Sequence, residues 1–289
     1  MAEANGEATA NGAPARARGQ KVRFFPREHG ATAMLITPMV CAAILARTWS
    51  WAEIATGAAA FAALAAKDPL VIVARQRLVW KQQREESAAA ARWLAGWMTL
   101  LVASGLVLLA TWPWKPLVAM GLGVAVFSGL AAWVNVRNRQ RSTLFQIASA
   151  LALTSSSLAV CVSATGGITP WCWWLWGMLA LQATAGILVV HARLDARIAL
   201  RGKGPASEHF RRAATVALGV MLLAASVMIL GGQWWLAGAL AVAAAGYWLD
   251  LRGQRDAAKL QLPLTRVGQR ALALSSVYAI LLIVGLWRV

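Results

Sequence analysis

Apolar runs separated by short polar breaks dominate this chain. A membrane-crossing helix needs about 20 consecutive apolar residues, with a range of roughly 17 to 25. Nine runs satisfy that rule, near 30–47, 50–66, 94–111, 115–134, 143–163, 171–191, 211–230, 233–250 and 271–287. The pattern therefore predicts an all-α integral membrane protein with nine transmembrane helices in one bundle. Residues 1–22 read as a polar tail without an apolar core, so they are expected to be disordered and not a cleavable signal peptide. Residues 23–289 are expected to form a single transmembrane domain.

The breaks alternate in kind. One set is short and nearly uncharged: Thr48-Trp49-Ser50, Trp112-Pro113-Trp114, 165–170 and Gly231-Gly232. The other set, at 67–92, 135–142, 192–212 and 251–270, is basic. Assigning the basic set and the N-terminus to the cytoplasm leaves Arg47, Lys115 and Arg288 as the outward Lys and Arg residues, a clear case of the positive-inside rule. That orientation sets the protein in a bacterial-type inner membrane with its C-terminus on the outer side. It also gathers Trp49, Trp51, Trp112, Trp114, Trp171, Trp173, Trp174, Trp176, Trp234, Trp235 and Trp287 near the outer face. These form an expected interfacial belt, since a Trp ring prefers the headgroup zone; stacking on a sugar or base is the other use of such a cluster.

Composition agrees with the pattern. Hydrophobic residues are 59% of the chain and charged residues 13%, against about a quarter charged in ordinary soluble proteins. The net charge of +17 does not indicate a nucleic-acid partner, because the basic residues are divided among short clusters between apolar runs. The lipid bilayer is the partner this distribution fits. Cys41, Cys161 and Cys172 lie in or beside apolar runs without CxxC spacing and read as small buried hydrophobes. Small residues such as the Ala-rich stretch after Gly57 predict close helix contacts. Pro69 is expected to end the second helix, leaving the segment from Leu70 to Lys81 as an amphipathic helix in the interface.

Candidate chemistry lies at the cytoplasmic ends of the spans. Glu28 and His29 stand at the mouth of the first, Asp68 closes the second with Arg75 beyond it, Asn135, Arg137 and Asn138 close the fourth, His191 and Asp195 the sixth, and Asp250 the eighth. Ionisable groups are costly at membrane depth without partners, so this set suggests one polar, cytoplasm-facing cavity. Arginine clamps an anionic headgroup or diphosphate in planar, bidentate fashion, so an anionic lipid or isoprenoid compound is the ligand class it would take. Stop-transfer charges in mutual ion pairs are the alternative. His191 and Asp195 are four apart and share a face if their helix continues past the membrane. No phosphate loop, GxSxG or HExxH motif occurs, and the three histidines make no metal-site pattern, so no metal site and no catalytic residue is assigned. The residues name no reaction class. A transporter for a small solute is a second reading, with Thr154-Ser155-Ser156-Ser157 as its midplane polar run, and an accessory subunit docking through its basic face is a third.

The stretch Glu28-His29-Gly30-Ala31-Thr32-Ala33-Met34-Leu35, followed by Pro38, resembles the HGAWAML-type opening of the YwiC-like membrane proteins, with Thr32 where Trp is common. The resemblance spans roughly residues 24–289 and implies a membrane protein without implying an activity. More distantly, the chain is similar to UbiA-type intramembrane prenyltransferases, which have nine helices and acidic magnesium motifs after the second and sixth, where Asp68 and Asp195 stand. Against their NDxxDxxxD pattern Val71 and Arg75 replace two acids, and Ala199 follows Asp195. Two carboxylates are a thin ligand set for magnesium, so this likeness implies that metal-dependent diphosphate chemistry has been lost or replaced.

Overall fold

In lipid, backbone amides and carbonyls have no water to bond, so apolar runs of this length close their hydrogen bonds within helices. The computed structural model describes residues 29–77, 85–136, 142–202 and 208–287. Its helices are α1 (His29–Ala46), α2 (Trp51–Arg75), α3 (Glu85–Thr111), α4 (Trp114–Val136), α5 (Thr143–Thr154), α6 (Ser156–Thr165), α7 (Pro170–Leu200), α8 (Glu208–Leu230), α9 (Trp234–Gly253), α10 (Ala257–Leu260) and α11 (Leu264–Trp287). Eight spans are long and apolar enough to cross a membrane: α2, α3, α4, α5 with α6, α7, α8, α9 and α11. Together with the shorter apolar α1, 18 residues long, they account for the expected runs.

Local signals explain the ends. Ser50 and Glu53 form a reciprocal capping box at the start of α2: Glu53 N donates to Ser50 Oγ at 3.4 Å, and Ser50 N donates to Glu53 Oε2 at 2.8 Å. Thr48 also donates to the Glu53 carboxylate, at 2.6 Å, which accounts for a glutamate that is 5% exposed. Gly166 ends α6 in the left-handed region, φ 72°, where a side chain would be strained. Pro170 then opens α7 at its first turn, where no amide is needed.

Two prolines sit inside helices. Pro38 in α1 takes away the amide that would bond the Met34 carbonyl, and one residue along, the Leu35 carbonyl accepts a hydrogen bond from Ser156 Oγ of α6 at 2.9 Å. Pro69 does not end α2, contrary to the expectation above. The helix runs through it to Arg75, because one missing bond is tolerated where neighbouring helices pack the site, and Pro69 is buried. Residues Leu70 to Arg75 are thus the last turns of α2, Gln76 and Arg77 continue the coil, and the rest of the expected interfacial helix, 78–81, lies outside the described residues.

The main core joins α1, α6, α7, α8, α9 and α11. Within it, α8 packs against α7 and α9, α9 against α11, and α1 between α6 and α11. A smaller cluster, Ala52, Ala55, Leu108, Trp112 and Val162, ties the start of α2 to the ends of α3 and α6. The helices α3 and α4 hang on α2, and only 11% and 6% of their most apolar stretches are buried. Their remaining surface is what lipid would cover. Most expected belt tryptophans are exposed, but Trp112 is not: it is buried and donates Nε1–H to Ser163 Oγ at 2.9 Å. At the same end, the Arg47 guanidinium lies 3.9 Å from the centre of the Trp287 ring and so links α1 to α11. All three cysteines are buried and free.

Small residues set the closest approaches. A Cβ at Gly285 would lie 2.4 Å from Leu236 Cδ2 and 3.2 Å from the Leu236 backbone nitrogen, so α9 and α11 meet there almost backbone to backbone. Gly285→Leu should therefore cost about 1–3 kcal/mol by overpacking. Gly219→Leu, at a position with nothing within 4 Å of its Cβ, should leave stability near wild type. Thermal unfolding of the two variants in detergent, followed by size-exclusion chromatography, measures the difference.

Candidate functional site

With 31 residues, α7 is about 46 Å long, well beyond a hydrocarbon core of about 30 Å. Its last turns, rich in Ala and Leu with Arg197 near the C-terminal dipole, carry the helix on past the apolar stretch to Gly202 at φ 67°. Because the helix is continuous there, His191 and Asp195 share one face, while Arg193 and Arg197 share another. The two faces do different things.

On the first face, His191 Nε2 lies 2.9 Å from Gln146 Oε1 of α5. With the amide oxygen as acceptor, the imidazole donates this bond. Phe210 of α8 stacks on the imidazole, ring centres 5.0 Å apart and planes 28° from parallel, and His209 meets Phe210 edge-on at 5.4 Å. Gln146 is held by the start of α5, where Ser142 Oγ caps the Phe145 amide. One turn beyond His191, Asp195 Oδ2 is buried and has no hydrogen-bond partner among the described residues. A buried unsatisfied acceptor costs about 1–3 kcal/mol, and more when charged. Two helices thus meet α7 at the His191 ring, one turn from a carboxylate oxygen that has no donor among the described residues.

The second face is a clasp. Arg193, 4% exposed, donates Nη1–H to Asp250 Oδ1 of α9 at 2.8 Å and Nη2–H to the Lys259 carbonyl at 2.5 Å. Arg197 donates to the carbonyls of Leu260, at 2.5 Å, and Leu262. Gln254 adds bonds from Nε2 to the Val189 carbonyl at 3.2 Å and to Asp250 Oδ2 at 3.3 Å. These arginines hold the α10 segment against α7, so Arg193 and Asp250 form the kind of mutual ion pair that a purely structural role requires. In sequence Arg193 stands beside Asp195, but its carboxylate partner is 57 residues away.

The other sequence-selected residues are distributed more widely. Asp68 and Arg75 lie half-buried on the last two turns of α2, each engaged by a neighbour. The chief neighbours of α2 are α3, α4, α6 and α1, whereas α7 packs mainly on α8, α5, α9 and α6. His29 begins α1 and Asn135 lies in the last turn of α4; their side chains, and the whole of Glu28, Arg137 and Asn138, lie outside the described residues. Among the described residues no group of three or more His, Cys, Asp or Glu side chains could hold a metal ion.

Sequence reasoning missed a polar network in mid-span. Gln182 Nε2 of α7 donates to Tyr247 OH of α9 at 2.7 Å and to Ser275 Oγ of α11 at 2.9 Å, and Tyr278 OH donates to the Met178 carbonyl at 2.9 Å. The available signal was Gln182, a lone amide within an apolar run, which in lipid must find partners on other helices. The Thr154 to Ser157 run does break its helix: α5 ends at Thr154 and α6 begins at Ser156. Thr154, Ser155 and Ser157 bond carbonyls of their own segment, and only Ser156 reaches another helix.

Apolar helices of membrane-crossing length, mid-span polar groups bonded to one another and ionisable groups at helix ends define a multi-pass α-helical membrane protein. The model of one family, described as YwiC-like protein, matches residues 25–164, from just before α1 almost to the end of α6. Over that stretch, a little under half of its length, the chain is similar to the YwiC-like family. The helices from α7 onward, with His191, Asp195 and the arginine clasp, lie beyond the match. No curated protein and no solved structure matches the chain.

Removing one partner of the clasp leaves a buried charge. Asp250→Leu should cost about 3 kcal/mol at most, reduced because the Asp250 side chain is 33% exposed, and should speed amide hydrogen exchange across 251–263. Adding Arg193→Met to that variant should recover much of the loss. Exchange mass spectrometry and thermal unfolding of the single and double variants measure both effects.

Proposed function

We propose that this protein binds a lipid-like anionic ligand at its basic end, facing the cytoplasm, with His191, Asp195, Gln146 and Phe210 receiving the polar headgroup. The observation that carries this reading is the buried Asp195 oxygen with no donor among the described residues, beside an imidazole whose hydrogen bond and stacking partner hold it in place. Such an oxygen needs a hydroxyl or protonated group of the ligand to complete it. Phe210, and the stack of Phe127 on Phe145 at 6.3 Å between α4 and α5, offer apolar surface beside that head. Arg193 and Arg197 are occupied by the clasp, so the anionic part falls to other arginines. Arg137, in the connection leading into α5, is the one the sequence favours.

A UbiA-like arrangement of the nine spans belongs to this reading, as does an inner-membrane orientation with the N-terminus inside and the C-terminus outside. If the ligand is transferred and not only held, Asp195 is the carboxylate placed to act as acid or base. A permease is the second reading. It is favoured by the helix break at Ser155 and by polar groups at three depths, Thr56 with Ser163 at 2.6 Å, Gln182 with Tyr247, and His191 with Gln146.

Mass spectrometry of lipids and small molecules co-purifying with the protein tests the first reading. Wild type should carry an anionic amphiphile that Asp195→Asn and His191→Phe lose at least tenfold, with melting temperatures within a few degrees of wild type. Equal retention by the variants would remove these residues from the site. Failure of wild type to bind or turn over any isoprenoid diphosphate or anionic lipid, with or without magnesium, combined with solute uptake into proteoliposomes, would select the permease.

A further inference from the structure

A second feature, independent of the α7 site, lies on the outlying helix α3. Arg92, Trp93, Gly96, Trp97 and Leu100 line a cleft of about 270 Å³ on the outer surface of that helix. Their spacing places them along one side of α3 over two turns. Trp93 stacks on Trp97, centres 6.2 Å apart and planes 30° from parallel, and Phe61 of α2 supports Trp97 edge-on at 5.8 Å. Gly96 makes the notch: nothing lies within 4 Å of where its Cβ would stand. At the upper edge Arg92 is exposed and has no ion pair or hydrogen bond among the described residues.

The depth of the cleft follows from helix length. Counting about 20 residues back from Thr111, where α3 ends, reaches Arg92, so the guanidinium stands at headgroup level and Gly96 about 6 Å deeper. Ordinary interfacial anchoring explains two tryptophans at this level. It does not explain a cation, unpaired among the described residues, directly above an apolar notch with an aromatic wall.

We propose that this cleft is a binding site for an anionic phospholipid. Arg92 would take the phosphodiester in a bidentate contact, Trp93 and Trp97 would flank the glycerol region, and an acyl chain would lie over Gly96 against Leu100. Charge complementarity selects an anionic over a zwitterionic lipid, whose own ammonium competes for the phosphate. The notch selects a chain lying along the helix. On the cytoplasmic assignment of the basic end, the lipid belongs to the inner leaflet, where anionic headgroups concentrate.

The test is photo-crosslinking of the full chain in phosphatidylcholine vesicles doped with a diazirine-tailed lipid, either phosphatidylglycerol or phosphatidylcholine, followed by peptide mapping. Labelling within 93–100 should be about fivefold stronger with the glycerol lipid, as expected for one arginine near the surface. Arg92→Gln should reduce it to the phosphatidylcholine level. Gly96→Leu should abolish the preference, and because its Cβ meets open space the variant should still fold; Gly105→Leu, open in the same way, should keep it. Labelling should persist in Asp195→Asn, so the α3 site and the α7 site stand or fall separately. Equal labelling by the two lipids would reduce the cleft to a non-selective anchor and overturn the proposal. Competition by millimolar inorganic phosphate would assign it to a soluble anion and overturn it as well.

Discussion

The structure depends on one constraint: inside a bilayer no water completes a hydrogen bond, so each polar group must find its partner within the protein. The backbone meets this constraint by coiling. Hydroxyl side chains within the spans meet it by bonding carbonyls of their own helix, as Thr56, Ser149, Thr154 and Ser163 do. Gln182, Tyr247 and Tyr278 cannot, being too long to fold back on the same turn, and so they join α7, α9 and α11. The same rule explains why the Ser156 hydroxyl donates to the Leu35 carbonyl of α1.

Against that background, an unsatisfied group carries information. The arginines of α7 are engaged by Asp250 and by carbonyls of the α10 segment, although Arg193 Nε is buried without a partner among the described residues, and these bonds make this end of α7 a structural joint. Two positions on the other face, His191 and Asp195, present a partnered imidazole and a carboxylate oxygen that has no partner among the described residues. One helix therefore holds the bundle together on one side and offers a polar corner on the other, and the 100° turn per residue is what separates the two tasks. On the far side of the molecule α3 and α4 touch little but α2, which leaves Arg92 and its cleft open to lipid.

The span pattern was legible because hydrophobic length is a one-dimensional property: runs of about 20 apolar residues announce helices whatever packs on them. The ends were less so. The sequence placed the third span from 94, whereas α3 begins at Glu85, because an Ala-rich polar stretch coils without being apolar. Local preference makes Pro69 a stop, and the packing around α2 carries the helix through it. Position in the chain groups Trp112 with the belt, and its bond to Ser163 holds it inward. Of the candidate residues, the shared face of His191 and Asp195 was visible from their spacing, since four residues return a helix to the same side.

By itself the sequence determined that this is a helical membrane protein, where its spans lie, and its similarity to the YwiC-like family through residues 25–164. These follow from local composition and from motif identity, which need no knowledge of what lies across the bundle. Only the tertiary structure decided which charges are consumed and which are left over. Arg193 and Asp195 are neighbours in sequence, yet one is paired with a carboxylate 57 residues away and the other meets no donor among the described residues. The physical reason is that partnership in a low-dielectric interior depends on distance in space, and helix packing sets that distance through contacts between residues far apart in the chain.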